Sequence, residues 1–412
     1  MHVVRTLDEL DAMIQACNEA EAISDDAMRA VFGTFRMDPP RNLPADPYSE
    51  AFRLAQLQLY QQIAGKSYSN ANEITQFNVD AAVRRPFPFV TNSTTTAGEY
   101  FMAIGYLLRC MALPPGSRVL EFGAGWGISS VWLAQLGHHV TTVDIEPCFC
   151  ELITRRAAHE GVEIEVVNAD FFWIEGQQRQ FDAVIFQGCF HHCDDHLRLL
   201  RALVPVVAPQ GRIFFGAEPI MPDFPQPWGL RLDGNSLWAI RKNGWLELGF
   251  QSDYFVHALA HTGWYTRRIA VPGGGEPLTV WEARHLDAAK FTFPARDTRL
   301  QTQTGTRRDD AIAFTQAAAG VGLYGPYLDL PAGRYRARLC FRPGAARDGR
   351  ARVDVVCQAA TRRLAEKSLG AGEVMELDFT LTTDVTGVEV RLFNKRGFTA
   401  TLDAVEIIPQ IG

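Results

Sequence analysis

The stretch VLEFGAGWGISS, from Val119 to Ser130, decides the fold of this chain of 412 residues. It begins as an apolar run typical of a buried strand, breaks at Gly123, Gly125 and Gly127, and resumes in a pattern that predicts a helix. A strand, a glycine-rich turn and a helix bring backbone N–H groups and a helix N-terminus to one point. The stretch therefore predicts a binding site for a nucleotide-like ligand.

The spacing of these glycines excludes two common nucleotide sites. A dinucleotide fingerprint needs a third glycine where Ile128 stands, and a P-loop needs a Lys followed by Ser or Thr. Glu121 precedes the first glycine closely, where its carboxylate would repel a pyrophosphate but can pair with a cationic group. These features favour an adenosyl cofactor with a positively charged tail.

Composition narrows the class of protein. The length predicts two or three domains, and 47% hydrophobic with 21% charged residues is typical of a soluble globular protein. A net charge of −7 argues against a nucleic-acid partner. No segment reaches the roughly 20 apolar residues of a membrane span, and the charged N-terminus lacks a signal-peptide core. With eight irregularly spaced cysteines, these features predict a cytoplasmic protein with no transmembrane segment.

The pattern along the chain predicts three regions. Residues 1–98 form a helical N-terminal extension, with helical periodicity up to about residue 32 and a further helix over Tyr48–Ala64. Residues 99–286 alternate strand and helix, as in an α/β domain with a parallel sheet. Residues 287–412 read as short alternating strands between polar turns, which predicts a β-sandwich. There, GRYRARLCF places apolar side chains on one face and arginines on the other.

Within the α/β region, strands are predicted over 118–122, 139–144, 163–167, 181–187 and 211–217. Two later runs, WYTRRIAVP and LTVWEARHL, are joined by a glycine-rich loop and predict a hairpin. Ligands bind at the carboxyl ends of parallel strands, so residues there are candidate site residues. Asp144 can accept both ribose hydroxyls, Asp170 can accept an exocyclic amine, and Phe171 can pack on an adenine face.

Four motifs carry a family resemblance. LEFGAGWG, VDIEP, NADFF and FDAVIFQGCFHH resemble, in order and spacing, the successive motifs of class I S-adenosylmethionine-dependent methyltransferases, over roughly residues 100–284. The resemblance implies a Rossmann-like, seven-stranded, mostly parallel sheet with an antiparallel last hairpin, S-adenosylmethionine as cofactor and methyltransferase activity. The cofactor residues it implies are Glu121, Gly123, Gly125, Gly127, Asp144, Ile145, Asp170, Phe171 and Gln187. Two alternatives stay open: glycines that only make a tight turn, and a catalytically inactive relative that keeps the fold.

The histidine pair after the fourth strand supplies candidate catalytic groups. Methyl transfer is an in-line displacement that needs an aligned nucleophile and can need a base. We predict His192 as the general base, with His191 and Glu218 as further candidates, because a neutral imidazole accepts a proton near pH 7. The alternative is that the pair shapes the pocket or caps the next helix. Consecutive residues such as those of HHCDDH rarely converge on one ion, so no metal is predicted.

A tryptophan-rich insertion over residues 219–250 supplies candidate acceptor residues. Indole faces interleaved with polar groups suit a sugar, whose ring stacks on the indole while its hydroxyls bond to charged partners. The predicted substrate-binding residues are Trp228, Arg231, Asp233, Trp238 and Arg241. The alternative is a packed lid that makes no substrate contact.

The C-terminal stretch GLYGPYLDLPAGRYRARL resembles a carbohydrate-binding-module-like jelly roll of the kind that accompanies bacterial surface-polysaccharide enzymes. This resemblance implies a sugar or glycan acceptor and a role in polysaccharide biosynthesis or modification. Two other hypotheses stay open. One is methylation of a lipid or an aromatic metabolite, and the other is a non-catalytic adaptor in a glycan-assembly complex.

Overall fold

A computed structural model of the chain describes residues 1–74, 76–286, 290–330, 332–342, 349–369, 375–383 and 385–410. It divides into two compact units. The first unit contains Met1–Thr262 and Thr266–Arg284, and the second contains Gly263–Tyr265 and His285–Gly412. The predicted helical extension and the predicted α/β region thus share one unit. The start of the predicted β-sandwich at residue 287 lies outside the described residues.

Helices dominate the beginning of the first unit. They are α1 (Leu7–Glu21), α2 (Asp25–Phe32), α3 (Glu50–Ala64), α4 (Val79–Arg84) and α5 (Thr94–Met111), with 3₁₀ turns at Asn70–Glu73 and Phe89–Thr91 and the paired strands β1 (His2–Val3) and β2 (Phe35–Arg36). The periodicity up to residue 32 is divided between two helices, because Ser24 accepts the Ala27 N–H at 3.1 Å and caps a new helix. Ser49 caps α3 in the same way.

The rest of the first unit alternates strands and helices. Its strands are β3 (Arg118–Phe122), β4 (His139–Asp144), β5 (Ile164–Asn168), β6 (Phe181–Gln187), β7 (Val207–Gly216), β8 (Ile220–Met221), β9 (Trp228–Leu230), β10 (Leu248–Gln251), β11 (Trp264–Ala270) and β12 (Thr279–His285). Its helices are α6 (Ile128–Gln135), α7 (Pro147–Glu160), α8 (His196–Leu203), α9 (Gly234–Trp238) and α10 (Ser252–His261), with a π-helical turn at Ala239–Asn243 and 3₁₀ turns at Phe171–Gly176, Phe190–His192 and Glu276–Leu278.

The central sheet has the strand order β11-β12-β7-β6-β3-β4-β5. Strands β3 to β7 pair in parallel and β12 runs antiparallel to β7. The middle strands are buried, as expected of a parallel sheet covered on both faces. The chain winds outward through β4 and β5, then crosses back to β6 beside β3, so the order reverses between β3 and β6. Ligands bind at such a reversal, beyond the carboxyl ends of the strands.

The insertion over 219–250 folds as a small layer of its own. Strands β8, β10 and β9 form a three-stranded sheet in that order, and α9 with its π-helical turn lies between β9 and β10 in the chain. Aromatic and aliphatic side chains bury this layer, so the insertion is a packed element.

The second unit is β-rich. Its strands are β13 (Phe291–Pro294), β14 (Thr306–Arg308), β15 (Ala311–Ala317), β16 (Gly320–Leu323), β17 (Pro326–Leu330), β18 (Gly333–Phe341), β19 (Ala351–Cys357), β20 (Arg362–Leu369), β21 (Met375–Leu381), β22 (Val385–Asn394) and β23 (Phe398–Gln410). One sheet has the order β14-β15-β23-β18-β21 with β13 on β23, and the other has β16-β22-β19-β20 with β17 on β22. Side chains of both sheets share one buried core. The jelly-roll arrangement and the likeness to a carbohydrate-binding module stay predictions.

Strand β18 shows the alternation predicted for it. Tyr335 and Leu339 are buried, whereas Arg336 and Arg338 lie on the other face. Arg336 pairs with Asp378 at 2.7 Å and Arg338 pairs with a glutamate of the same neighbouring strand, β21, at 2.6 Å. The arginine face is therefore largely neutralised within the sheet. Among all the helices that the structure describes, none is long and apolar enough to cross a membrane.

Candidate active site

A cavity of about 710 Å³ opens in the first unit beyond the carboxyl ends of β3, β4, β5 and β6. Its volume lies in the range typical of cofactor and substrate pockets. The predicted cofactor residues that line it are Glu121, Gly123, Gly125, Asp144, Ile145, Asp170, Phe171 and Gln187. These eight residues belong to four separate segments of the sequence. The segments meet at one place, as we predicted from the position of these residues at the carboxyl ends of the strands.

The turn after β3 requires glycine for two separate reasons. Gly123 has a φ of +56°, and a Cβ there would lie 2.6 Å from the Cβ of Cys189. Gly127 has a φ of +66°, and a Cβ there would lie 2.6 Å from Ile153. Both positions combine left-handed backbone with a contact too close for a side chain. Gly127 does not line the cavity: it begins α6 and allows that helix to pack closely.

Glu121 is fully buried beneath this turn. Its two carboxylate oxygens accept hydrogen bonds from the hydroxyls of Ser129 and Ser130, each at 2.5 Å. Burial raises the pKa of Glu121 to about 7, against the two hydroxyl donors, which lower it. The carboxyl group thus stabilises the first turn of α6. The same residue lines the cavity.

Asp144 joins the end of β4 to the glycine turn. One of its oxygens accepts the N–H of Gly125 at 2.8 Å and the other accepts the N–H of Glu146 at 2.9 Å. Burial raises the pKa of Asp144 to about 6. Each carboxylate oxygen has a second lone pair and can accept a further hydrogen bond beside these backbone bonds. The bidentate contact with a ribose stays a prediction.

Asp170 and Phe171 line the cavity after β5. Asp170 accepts the N–H of Phe172 at 2.9 Å and the side-chain amide of Asn70 at 2.8 Å, which connects β5 to the helical extension. Phe171 packs against Phe122 with ring centroids 5.7 Å apart. These contacts hold a carboxylate and an aromatic ring side by side at the cavity wall.

Three buried polar atoms at this cavity have no hydrogen-bond partner within the described residues: Oε1 of Gln187, Nδ1 of His192 and Nε1 of Trp245. Buried polar atoms are almost always hydrogen-bonded, because an unpaired one costs about 1–3 kcal/mol. Residues of the cavity wall therefore hold three buried polar atoms that have no partner among the described residues.

The two histidines after β6 have different environments. His191 does not line the cavity, and its Nδ1 lies 2.8 Å from the Glu218 carboxylate. Glu218 also accepts the backbone N–H groups of Cys189 and Phe190, each at 2.8 Å. Burial lowers the pKa of His191, but the carboxylates of Glu218 and Glu247 outweigh it and raise that pKa overall. The structure places His191 and Glu218 side by side outside the cavity lining, and their catalytic roles stay predictions.

His192 lines the cavity, with 22% of its side chain exposed. Burial and the neighbouring charge of His191 hold the pKa of His192 well below its ordinary value, so the imidazole is neutral at pH 7. Of the three predicted catalytic candidates, this one alone faces the ligand space.

Residues 119–211 match the family described as Methyltransferase domain. The matched segment contains the glycine turn, Asp144, Asp170 and both histidines. The chain contains a methyltransferase domain. This match supports S-adenosylmethionine as the cofactor.

Relatives of the methyltransferase domain differ in their acceptors. A protein of Xanthomonas axonopodis pv. citri (strain 306), named ubiquinone biosynthesis O-methyltransferase, is 31% identical over 103 residues, 24% of this chain and 43% of that protein. A glycine/sarcosine/dimethylglycine N-methyltransferase of Actinopolyspora halophila is 31% identical over 114 residues, 27% of this chain and 20% of that protein. The chain thus spans less than half the length of these curated relatives.

Among solved structures, the Burkholderia thailandensis 1,6-didemethyltoxoflavin-N1-methyltransferase, with bound 1,6-didemethyltoxoflavin and S-adenosylhomocysteine, is similar with a TM-score of 0.37 and 18% identity. The similarity covers 61% of this chain and 93% of that one.

The insertion reaches the cavity of the methyltransferase domain through Trp245, not through the five residues predicted to bind substrate. Trp228 packs on Phe52 and donates its indole N–H to the Pro47 carbonyl at 2.8 Å. The indole N–H of Trp238 points to Asn18 at 3.1 Å. Neither tryptophan lines the cavity, because both hold the insertion against the helical extension.

The charged residues of the insertion also make contacts within the protein and do not line the cavity. Arg241 pairs with Asp11 at 2.7 Å, and Asp233 caps α9 by accepting the Ser236 N–H at 3.1 Å. Arg231 lies 3.2 Å from Asp233 and does not line the cavity. None of the five residues predicted to bind substrate lines the cavity, and their contacts are those of the packed-lid alternative. Their role toward a substrate stays a prediction.

The helical extension supplies cavity residues that sequence reasoning missed. Phe77 and Phe87 pack on Trp126 of the glycine turn, with ring centroids 5.2 and 5.7 Å apart. Tyr68 and Glu73 line the same cavity. Their stretch of sequence shows no periodicity or motif, so nothing local signals a role for them.

His191, His192 and Glu247 lie close enough together to hold a metal ion. His191 already stands between two carboxylates, with Nε2 3.7 Å from Glu247, and its raised pKa favours a proton on that ring. The guanidinium of Arg231 lies 3.6 Å from Glu247. Arg231 and a protonated His191 would balance the buried carboxylates, and we assign no metal to the group.

Proposed function

We propose that the protein transfers a methyl group from S-adenosylmethionine to a hydroxyl oxygen of a polar acceptor, and that this acceptor is a sugar or glycan. One observation carries the proposal. The neutral imidazole of His192 lines the same cavity as the glycine turn and the strand-end carboxylates.

The cofactor would be held by the elements nearest β3, β4 and β5. Gly123 and Gly125 leave room for close backbone approach, Asp144 faces a ribose, and Asp170 with Phe171 faces an adenine. When bound, the cofactor supplies an electrophilic methyl group on a positively charged sulfur. Acidic side chains outnumber arginines and lysines in the cavity lining, which suits a cationic ligand.

The acceptor would lie near His192, where the insertion and the extension meet the cavity. His192 is the group that can take the hydroxyl proton, because its imidazole is uncharged and partly exposed to the ligand space. The walls around it fix the position of the acceptor oxygen, which is the larger part of catalysis for a displacement.

A sugar acceptor is supported by the residues that line the cavity near His192. Trp245, Tyr68 and Glu73 line the cavity there and supply an indole ring, a phenol and a carboxyl group. Aromatic faces beside hydrogen-bonding groups are suited to a sugar ring and its hydroxyls. The relative named as an O-methyltransferase supports oxygen as the accepting atom.

The test is formation of S-adenosylhomocysteine with a panel of acceptors: free sugars, nucleotide-linked sugars, oligosaccharides, hydroxylated aromatic compounds and small amines. We expect turnover with at least one sugar and a methyl ether in the product. Turnover confined to aromatic compounds or amines would overturn the sugar acceptor but leave the methyltransferase. Absence of cofactor binding in calorimetry would overturn both.

A further inference from the structure

Glu73 lies at the end of the 3₁₀ turn Asn70–Glu73 in the helical extension, and its side chain reaches the cavity. One carboxyl oxygen, Oε1, accepts the backbone N–H of Leu246 at 2.8 Å. The other, Oε2, lies 3.5 Å from Nδ1 of His192. The carboxyl group is therefore held by the insertion on one side and faces the imidazole with the other.

The extension also contacts the main chain of His192, because the hydroxyl of Tyr68 donates to the backbone carbonyl of His192 at 3.2 Å. Nδ1 of His192 is buried and has no hydrogen-bond partner among the described residues. The carboxyl group that lies within 4 Å of it is that of Glu73. A ring nitrogen that is bonded to a carboxylate carries the proton, and the opposite nitrogen is then free to accept one.

We propose that Glu73 is a positioning residue of the methyl transfer: its carboxylate accepts the Nδ1 proton of His192 and so leaves Nε2 unprotonated toward the acceptor. This inference rests on the proposed function, and it makes the helical extension part of the catalytic centre. The acceptor hydroxyl gives its proton to Nε2, and the Glu73 carboxylate stabilises the imidazolium that results.

The charge on Glu73 depends on pH. Burial raises the pKa of Glu73 to about 8. Below that value the carboxyl group is protonated and donates to Nδ1, which places the ring proton on Nε2. Above it the carboxylate accepts from Nδ1. The form with an unprotonated Nε2 therefore accumulates as the pH rises through about 8. The groups that face the pair are Tyr68, His191, Arg231 and Glu247, together with the backbone of Leu246.

The experiment measures the protonated nitrogen of His192 directly, in the full chain without cofactor or acceptor. Histidine is labelled with ¹³C in an otherwise deuterated protein, and the ring carbon shifts, which differ between the two tautomers, are followed from pH 6 to 10. The His192 signal among the ten histidines is assigned by its loss in His192→Gln. We expect the ring to change from the Nε2–H to the Nδ1–H tautomer with a midpoint near pH 8.

Glu73→Gln should abolish this pH-dependent change, whereas Glu151→Gln, on the exposed surface of α7, should leave it intact. A wild-type ring that keeps its proton on Nε2 at every pH would overturn the proposal, even if the Glu73 variant failed to fold. The same would follow from identical titrations in wild type and Glu73→Gln. Because no methyl transfer is measured, these results are separate from success or failure of the acceptor panel.

Discussion

At the scale of single residues, position in the fold decides the chemistry of the histidine pair. His191 and His192 are neighbours in sequence, yet their pKa values shift in opposite directions. At His191 the carboxylates of Glu218 and Glu247 outweigh burial and raise the pKa, whereas burial holds the pKa of His192 well below its ordinary value. The ring centroids are 4.2 Å apart, so the charge of one ring helps to keep the other uncharged.

Replacing His192 by Ala removes the proposed base. Turnover should fall by roughly 10²–10⁴-fold, the range typical for loss of a general base, with little change in cofactor affinity. Initial rates and calorimetry on the same preparation measure the two effects. His159→Ala, which alters an exposed histidine near the end of α7, serves as the matched control. Near-normal turnover in His192→Ala would show that alignment alone is sufficient.

Replacing Asp144 by Ala removes the proposed ribose contact and two backbone hydrogen bonds. Cofactor affinity should fall at least tenfold, since hydrogen bonds to a charged group contribute about 1.5–3 kcal/mol each. The wild-type affinity should also weaken as the pH falls through about 6, because the carboxylate becomes protonated there. Calorimetry between pH 5 and 8 tests this, and Asp144→Asn should show a weaker pH dependence. Unchanged affinity in Asp144→Ala would contradict the assignment.

At the scale of elements, the turn between β6 and α8 depends on one buried carboxylate. Glu218 accepts the N–H groups of Cys189 and Phe190 and pairs with His191. Three donors from one short turn thus meet a side chain that follows β7. The neighbouring strands β6 and β7 bring these groups together, although they are far apart in sequence.

Glu218→Ala should destabilise the first unit by about 3–5 kcal/mol, because it leaves a buried imidazolium and backbone donors without a partner. The raised pKa of His191 adds a pH dependence. Its pairing contributes fully below the unfolded histidine pKa of about 6.5 and is lost as the pH rises through the folded value. Urea denaturation at pH 5.5 and at pH 9 should therefore give a larger difference at the lower pH. Glu151→Ala is the exposed control, and equal stability of both variants would refute this role.

At the scale of the whole molecule, two units divide the chain. Each has its own buried core, and the cavity is lined by residues of the first unit. We therefore propose that the first unit binds the cofactor by itself and that the β-rich second unit contributes to recognition of the acceptor.

A fragment that ends at Leu286 should fold and bind cofactor with an affinity close to that of the full chain. A fragment that begins at residue 287 should be soluble and β-rich, since a chain of this length can bury its own core. Circular dichroism and calorimetry check both expectations. An aggregated N-terminal fragment would show that the two units depend on each other for folding. Loss of turnover confined to polymeric glycans would assign glycan recruitment to the second unit.

The sequence by itself determined the α/β unit and the cofactor end of its site. Strand periodicity, the three glycines and the strand-end carboxylates are local signals, because a parallel strand, a left-handed turn and a helix start each constrain their own residues. Eight of the nine cofactor residues that the family resemblance implies line the cavity. The β-rich character of the C-terminal region was predicted from the alternation of apolar and polar residues along its short strands.

Only the tertiary structure decided which residues form the acceptor end. Glu73 and Trp245 come together there from segments without any motif, while Trp228 and Arg241, prominent in the sequence, pair with the helical extension instead. The opposite pKa shifts of His191 and His192 could not be predicted from the sequence either. Burial and pairing set a pKa, and both arise from side chains that are distant in sequence and meet only when the elements pack.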